Sequence, residues 1–304
     1  MSDAVRLIHF SDVHITAKPL GWRGRDLASK RFTGWMNLAL LGRGFRFRYA
    51  PRVAAALVRE IKQRRPDHLI FSGDATALAF ESEFEAAARM LAVNDPDMPP
   101  ALAIPGNHDC YVKRPVKDRL FERYFAPWQK GERLDGEIYP FAQRVGPLWL
   151  IGVNSSSYNF WTFDATGRIG KPQMQRLERL LAKLPPGPRI LVTHYPLARS
   201  KGQPERKLHG LRDWREATRV AAEGGISLWL HGHLHRPFLL EPPVAAPFPI
   251  ICAGSATQSG IAVYNEYTFI DGKLKVTRRK YSKEDHAYHD RDSFEVELGC
   301  GSMA

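Results

Sequence analysis

Residues 101–109 read Ala-Leu-Ala-Ile-Pro-Gly-Asn-His-Asp, an apolar run followed at once by a turn with three polar side chains. The run predicts a short buried strand, and the Pro-Gly pair predicts a turn at its end. Asn107, His108 and Asp109 are therefore expected on a loop beyond the edge of a sheet, where side chains are free to bind a ligand. Turns of this composition are common, so the segment gains its meaning from the rest of the chain.

Four other apolar runs end in side chains of the same kind. These side chains are Asp12 and His14 after the first run, then Asp74, His194, and finally His233 with His235. Nitrogen and oxygen donors in this mixture suit divalent ions such as Mn, Fe, Zn or Co. With Asn107 there are seven candidate ligands, which is too many for one ion but fits two ions that share a carboxylate. The sequence therefore predicts a binuclear metal site.

In chain order, Asp-x-His, Gly-Asp, Gly-Asn-His-Asp, a lone His and Gly-His-x-His resemble the motifs of the calcineurin-like metallophosphoesterase family. The motifs extend from Asp12 to His235, and all five are intact. The resemblance implies a four-layer α/β/β/α sandwich with the metal site along one edge of its two sheets. Apolar runs that alternate with helical patterns and then end in hairpins agree with this α/β class.

The resemblance also assigns a role to each candidate residue. One ion is held by Asp12, His14 and His235, the other by Asn107, His194 and His233, and Asp74 bridges both. His108 is expected to protonate the leaving oxygen or to stabilise the phosphoryl charge. Asp109 is expected to accept a hydrogen bond from the His108 ring and so fix its tautomer. The competing hypothesis is that His108 is itself a ligand.

Two ions in one site are expected to hold both the attacking and the leaving oxygen of a phosphoryl group during in-line displacement. The expected nucleophile is a hydroxide that bridges them, because metal binding lowers the pKa of water to about 7. The sequence thus predicts metal-dependent hydrolysis of a phosphodiester or pyrophosphate bond. Manganese is the metal that we favour.

The positive charge of the chain is concentrated in one region. Residues 16–65 contain thirteen Lys or Arg and two acids, which gives +11 of the formal net charge of +12. Within this region, residues 17–50 interleave basic and aromatic side chains around the apolar segment 35–41. Such a composition is typical of a helix at a membrane interface, or of a groove for an acyl chain or a nucleic-acid strand. A lid packed on its own domain is the third interpretation.

One catalytic domain over residues 1–281 is the simplest organisation, with a basic amphipathic insertion at 17–50 and a charged tail at 282–304 that frays at 299–302. Residues 1–6 lack the basic and apolar regions of a secretory signal, so none is expected, and no apolar run has membrane-spanning length. Its three cysteines lack a metal-type spacing, which is consistent with a reducing compartment. We therefore expect a cytoplasmic protein that contacts the inner face of the membrane through residues 17–50.

The insertion favours a phosphorylated substrate that is lipid-linked or a nucleotide sugar, similar to the substrate of enzymes that split UDP-diacylglucosamine. A phosphorylated small molecule is the alternative, because soluble cyclic-nucleotide phosphodiesterases share the same five motifs. A nuclease is less favoured; its support is the basic cluster with interleaved aromatic side chains. A scaffold that has lost its metals is disfavoured, because none of the seven candidate ligands is missing.

Overall fold

The computed structural model describes residues 4–298 and contains two sheets with helices outside them. The strands are β1 (Val5–Phe10), β2 (His68–Phe71), β3 (Ala101–Ala103), β4 (Glu132–Arg133), β5 (Phe141–Val145), β6 (Leu148–Gly152), β7 (Arg189–Val192), β8 (Ile226–His231), β9 (Phe238–Leu240), β10 (Ile250–Cys252), β11 (Val263–Ile270), β12 (Lys273–Tyr281) and β13 (Tyr288–Glu297). The helices are α1 (Lys30–Ala39), α2 (Arg43–Phe47), α3 (Ala50–Arg64), α4 (Glu81–Met90), α5 (Lys113–Lys117), α6 (Leu120–Tyr124), α7 (Lys171–Lys183) and α8 (Trp214–Glu223). Single turns of 3₁₀ helix cover Gly24–Ala28 and Ala126–Gln129.

The strand order is β13-β12-β11-β1-β2-β3 in the first sheet and β4-β5-β6-β7-β8-β10-β9 in the second. Strands β1, β2 and β3 run parallel to one another, and so do β6, β7, β8 and β10. Ligands of such α/β sheets bind beyond the carboxyl ends of the parallel strands. Each of the five sequence motifs follows one of these parallel strands, which directs all five toward the same edge.

Three apolar layers hold the sheets and helices together. In β1, Val5 and Leu7 face the layer between the two sheets, whereas Ile8 and Phe10 face the helices. Helices α3 and α4 cover the outer face of the first sheet, and α7 and α8 cover the outer face of the second. The resulting order is helix, sheet, sheet, helix, so the predicted four-layer sandwich is confirmed.

Helix α3 follows directly from its sequence pattern. Pro51 lies in its first turn, where a missing N–H costs no hydrogen bond. Val53, Leu57 and Ile61 recur at every fourth residue, and all three are buried in the layer against the first sheet. The helix ends at Arg64, because the next residue, Arg65, has a left-handed φ of 47° that stops the helical repeat.

The insertion, residues 17–50, packs against its own domain through one face. Arg31 anchors α1, because its guanidinium donates to Asp26 and to the backbone carbonyls of Leu78 and Ala79. Near the end of α1, Leu40 and Leu41 are 69% and 76% exposed. The lid interpretation thus describes one face of the insertion, and the other face leaves apolar side chains uncovered. Within residues 4–298, no helix has the length and apolar character needed to cross a membrane.

The C-terminal strand corrects the sequence prediction. A charged tail from residue 282 is wrong for residues 288–297, which form β13 and pair antiparallel with β12. Phe294 and Val296 face the layer between the sheets, while the residues between and beside them are exposed. An edge strand of this kind resembles a tail in sequence, because half of its side chains are charged and meet solvent. The predicted fraying at 299–302 lies outside the described residues.

Replacing Val296 by Asp is expected to lower the free energy of unfolding by about 3 kcal/mol, because it buries an unpaired carboxylate between the sheets. Glu295→Gln is the matched control, since its side chain lies on the exposed face of the same strand. Urea unfolding followed by circular dichroism measures both variants. Equal stability of the two variants would mean that β13 is dispensable, as a tail would be.

Candidate metal centre

Four of the predicted ligands form a tight group beyond the ends of β1, β2 and β8. One donor atom from each of Asp12, His14, Asp74 and His235 lies within 4.8 Å of the others. His14 Nε2 is 3.1 Å from His235 Nε2, and His235 Nε2 is 3.2 Å from Asp12 Oδ1. These side chains could hold one cation among them.

The other three predicted ligands form a second group beside the first. Asn107 Oδ1 lies 3.0 Å from His194 Nε2 and 2.9 Å from His233 Nδ1. The carboxylate of Asp74 connects the two groups, because its Oδ2 is 3.5 Å from His194 Nε2 and 3.5 Å from His14 Nε2. The structure therefore brings all seven residues together, and their division between two ions stays a prediction.

Hydrogen bonds on the far side of three imidazoles aim the rings at the centre. His194 Nδ1 lies 2.8 Å from the backbone carbonyl of Ser72, and His235 Nδ1 lies 2.6 Å from Gln258 Oε1. His14 Nδ1 is 3.3 Å from the carbonyl of Thr76. These oxygens can only accept hydrogen bonds, so the ring proton belongs on Nδ1 and Nε2 keeps a lone pair.

The donor set fits a divalent cation for a physical reason. Asp12 Oδ1 is buried and accepts no hydrogen bond from residues 4–298. It faces the lone pair of His235 Nε2, which in turn faces the lone pair of His14 Nε2. Converging acceptors without a proton between them repel one another, and burial makes an unpaired acceptor costly. A cation at the point where they converge removes both penalties.

Burial also sets the charge of the ligand histidines. It lowers the pKa of His14 and His233 well below the ordinary value, and neighbouring Arg43 and His194 lower them further. His194 and His235 differ, because a neighbouring carboxylate more than offsets the effect of burial: Asp74 raises the pKa of His194 to about 9, and Asp12 raises the pKa of His235. A metal binds the neutral imidazole, so binding at His194 displaces a proton.

The backbone at the centre is strained. Five of the predicted ligands have a left-handed φ: Asp12 (55°), His14 (46°), Asp74 (59°), His233 (69°) and His235 (58°). In residues other than glycine this conformation costs roughly 1 kcal/mol or more each, and it collects at functional sites. Left-handed turns at the strand ends let residues two apart in sequence, such as His233 and His235, both face the centre.

Glycine in the third motif makes room for the shared carboxylate. A Cβ on Gly106 would lie 2.1 Å from Asp74 Oδ1 and 2.3 Å from the Asp74 backbone nitrogen. These distances are far below van der Waals contact. The loop after β3 can therefore approach the loop after β2 only where it lacks a side chain.

His108 lies beside the ligands with both ring nitrogens engaged elsewhere. Its Nδ1 donates to the carbonyl of Ala77 at 2.8 Å, and its Nε2 is 2.8 Å from Arg43 Nη2. The backbone N–H of His108 donates to Asp74 Oδ1 at 2.7 Å. Burial, reinforced by Arg43, holds the pKa of His108 well below its ordinary value. These contacts argue against the hypothesis that His108 is a ligand.

The predicted partner of His108 is wrong. Asp109 does not accept from the His108 ring; it accepts hydrogen bonds from the backbone N–H groups of Ala75, Thr76 and Gly106 at 2.9 to 3.2 Å. The tight turn after β3 directs the Asp109 side chain back to these backbone groups. Asp109 thus joins the loops after β2 and β3, and the Ala77 carbonyl fixes the His108 tautomer.

Two residues in the site were not found from the sequence. In the sequence Arg43 is one of several cations of the insertion, and only the flanking glycines in Gly42-Arg43-Gly44 signal a special turn there. Gln258, which holds His235, lies in a segment without a motif. Both reach the site through the packing of distant segments.

Comparison with known proteins agrees with this geometry. The family model for calcineurin-like phosphoesterases matches residues 5–237. No curated protein sequence matches the chain. A dimetal phosphatase from Danio rerio has a similar structure, with 10% sequence identity and a TM-score of 0.66, covering 97% of this chain and 99% of the other. A purple acid phosphatase from yellow lupin has 13% sequence identity and a TM-score of 0.63. This match covers 98% of this chain but only 54% of the lupin protein.

Sequence identities this low show only that the folds are shared. The match to the family model shows the family and the enzyme class of this chain. The predicted enzyme class, a hydrolase of phosphoester bonds, is confirmed. Family and cluster together indicate a dinuclear site for divalent metal ions. The chain belongs to the calcineurin-like phosphoesterase family.

Proposed function

We propose that this hydrolase cleaves a phosphodiester or pyrophosphate bond in a lipid-linked substrate, such as an acylated nucleotide sugar, at a membrane surface. The observation that carries this proposal is a cleft of about 980 Å³ between the insertion, α5 and the loop 158–163. Its apolar lining includes Tyr158, Phe160, Trp161 and Phe163. A cleft lined by aromatic side chains suits an acyl chain.

The cleft adjoins the metal centre through two side chains. Lys30, on the cleft wall, places its Nζ 5.1 Å from the ring centre of Tyr111. The Tyr111 ring stacks on His108, with centres 5.0 Å apart. A substrate whose apolar part fills the cleft therefore has a short path from there to the predicted ligands.

The charge on the cleft wall suits an anionic, amphipathic molecule. Arg25, Lys30, Lys113 and Lys117 line the cleft, and none of them forms an ion pair with a carboxylate of residues 4–298. Basic side chains beside an apolar surface attract phosphate-bearing lipids and sugars. The same cations would hold the polar part of the substrate near the metal ions.

Exposed apolar side chains of the insertion support contact with a membrane. Leu40, Leu41 and Phe45 are each more than 60% exposed, and Arg46 and Arg48 lie beside them in sequence. Apolar side chains flanked by arginines partition into the interface of an anionic bilayer. The insertion would thereby bring the cleft to a substrate that resides in the membrane.

Within this proposal the seven predicted ligands hold two ions, and manganese remains our favoured metal. Such a pair, when bound, activates water and stabilises charge on a phosphoryl group. Ser72, Thr76 and Gln258 keep three of the ligand imidazoles oriented through their Nδ1 atoms. His108 accepts a hydrogen bond from Arg43 at Nε2 and would act on the substrate together with this guanidinium. Metal analysis of the purified protein identifies the ions.

A substrate panel tests the proposed function. Bis-p-nitrophenyl phosphate, cyclic nucleotides, single-stranded nucleic acid and UDP-activated acyl sugars are compared with and without detergent or anionic vesicles. The acyl sugar is expected to be cleaved most efficiently, with a rate that depends on detergent or lipid. A preference for cyclic nucleotides that is indifferent to lipid would instead identify a soluble phosphodiesterase, and a preference for nucleic acid with steep salt dependence would identify a nuclease.

The double substitution Phe160→Ser and Trp161→Ser is expected to lower kcat/KM for the acyl sugar by about 10- to 100-fold, because two aromatic contacts with the lipid are lost. Hydrolysis of bis-p-nitrophenyl phosphate, which has no acyl chain, should change by less than about twofold. Ile270→Ser is the matched control, since Ile270 is an exposed apolar side chain on the β11–β12 hairpin. Equal losses on both substrates, or no loss on either, would contradict a lipid-binding cleft.

A further inference from the structure

Arg43 is a cation of the basic insertion whose guanidinium directly contacts His14 and His108 at the metal centre. It is the first residue of α2, directly after Gly42, whose left-handed φ of 83° turns the chain at that point. A Cβ on Gly44 would lie 2.4 Å from the backbone oxygen of Leu38, so the turn after α1 is closed by a second glycine. Together the two glycines bend the chain sharply enough to direct Arg43 inward.

Helix α2 is fixed to the metal ligands themselves. The Phe47 ring packs edge-on against His14, with ring centres 4.6 Å apart, and lies 5.7 Å from His235. The backbone carbonyl of Arg46 accepts a hydrogen bond of 2.8 Å from the N–H of Ser259, which follows Gln258. The position of Arg43 is therefore set by the same side chains that set the ligands.

The contacts of Arg43 leave its charge uncompensated. Its Nη2 lies 2.8 Å from His108 Nε2 and 3.3 Å from His14 Nδ1. No carboxylate of residues 4–298 lies within ion-pairing distance of it, in contrast to Arg31, which is paired with Asp26. A half-buried cation without an anion is unfavourable unless a ligand supplies the negative charge.

We infer that Arg43 is a catalytic residue that donates hydrogen bonds to the non-bridging oxygens of the scissile phosphate. The guanidinium carries several donors in one plane and matches a phosphate better than any other side chain. His108 holds it in place through Nε2, so His108 acts in part as a positioning residue for Arg43. This inference applies to any phosphoester substrate and does not depend on the lipid proposal.

The test compares Arg43→Ala and Arg43→Gln with wild type. Expected results are a 10- to 100-fold lower kcat on bis-p-nitrophenyl phosphate and a weaker Kd for inorganic phosphate by about 10-fold, the size of a lost charge-assisted hydrogen bond. Both variants should keep the metal content of wild type. Guanidinium chloride at millimolar concentration should partly restore the activity of Arg43→Ala, which a purely structural role does not predict.

Arg59→Ala is the matched control, because Arg59 is an exposed arginine of the next helix, α3, and lies outside both the metal centre and the exposed apolar patch. It should leave kcat, phosphate affinity and metal content unchanged. If Arg43→Ala loses its metal, the result for Arg43→Gln tests the inference. This variant keeps a hydrogen-bond donor to His108 and removes only the charge. An unchanged phosphate Kd would overturn the inference. So would a kcat above that of wild type, which would show that Arg43 blocks the site.

Discussion

Asp74→Asn is expected to remove bound metal and activity together, with kcat/KM falling more than ~100-fold, because even the outer partners of metal ligands contribute about 10- to 100-fold. Asp74 Oδ2 is 3.5 Å from a histidine of each ligand group. Asn has the same shape but lacks the negative charge that both groups share. Metal content of the dialysed protein and kcat/KM on bis-p-nitrophenyl phosphate measure the two effects.

Asp135→Asn is the control for this variant. Asp135 pairs with Arg179 on the surface, where an ion pair contributes little to stability. Its metal content and activity should match wild type. An Asp74→Asn protein that retains two ions per chain and full turnover would show that Asp74 is not the shared ligand.

His108→Ala is expected to lower kcat by about 100- to 1,000-fold, the range of a lost side chain that acts on the reacting group. Both ions should remain, because the ring nitrogens of His108 contact Ala77 and Arg43 and not the ligand groups. Metal analysis measures the number of ions retained, and single-turnover kinetics measures the rate of the chemical step.

His289→Ala serves as its control, since His289 is exposed on β13 and pairs with Asp285. Its kcat and metal content should equal those of wild type. Loss of metal from His108→Ala would mean that His108 is a ligand after all. Unchanged kcat with both ions bound would mean that it has no part in the reaction.

The sequence predicted those parts of the molecule that short-range patterns determine. The apolar run of β3 and the following turn placed Asn107 correctly at a strand end, and parallel strands then bring such ends to one edge. The spacing of Val53, Leu57 and Ile61 by four residues is typical of the buried stripe of a helix, and all three lie in α3. These features depend on residues that are close in sequence.

Features that depend on long-range packing were missed. The prediction that Asp109 pairs with the His108 ring is wrong, because nothing in the sequence shows that the loops after β2 and β3 lie close enough for their N–H groups to bind both Asp109 oxygens. Arg43 was one cation among thirteen in its region, and only the docking of α2 on His14 singles it out. Residues 289–293 of β13 are all polar or charged, and apolar residues alternate with acids only over 294–297, so the sequence alone does not separate this strand from a tail.

The left-handed backbone at Asp12, His14, Asp74, His233 and His235 has a consequence for how this enzyme can change. The torsional cost is met when the chain folds, so the ions find their donors already arranged and binding requires little reorganisation. The metal-free protein bears the same cost without the attraction that offsets it. Glycine at any of these positions would relax the backbone but would remove a ligand. A substitution that stabilises the metal-free protein at these five residues therefore lowers its affinity for metal.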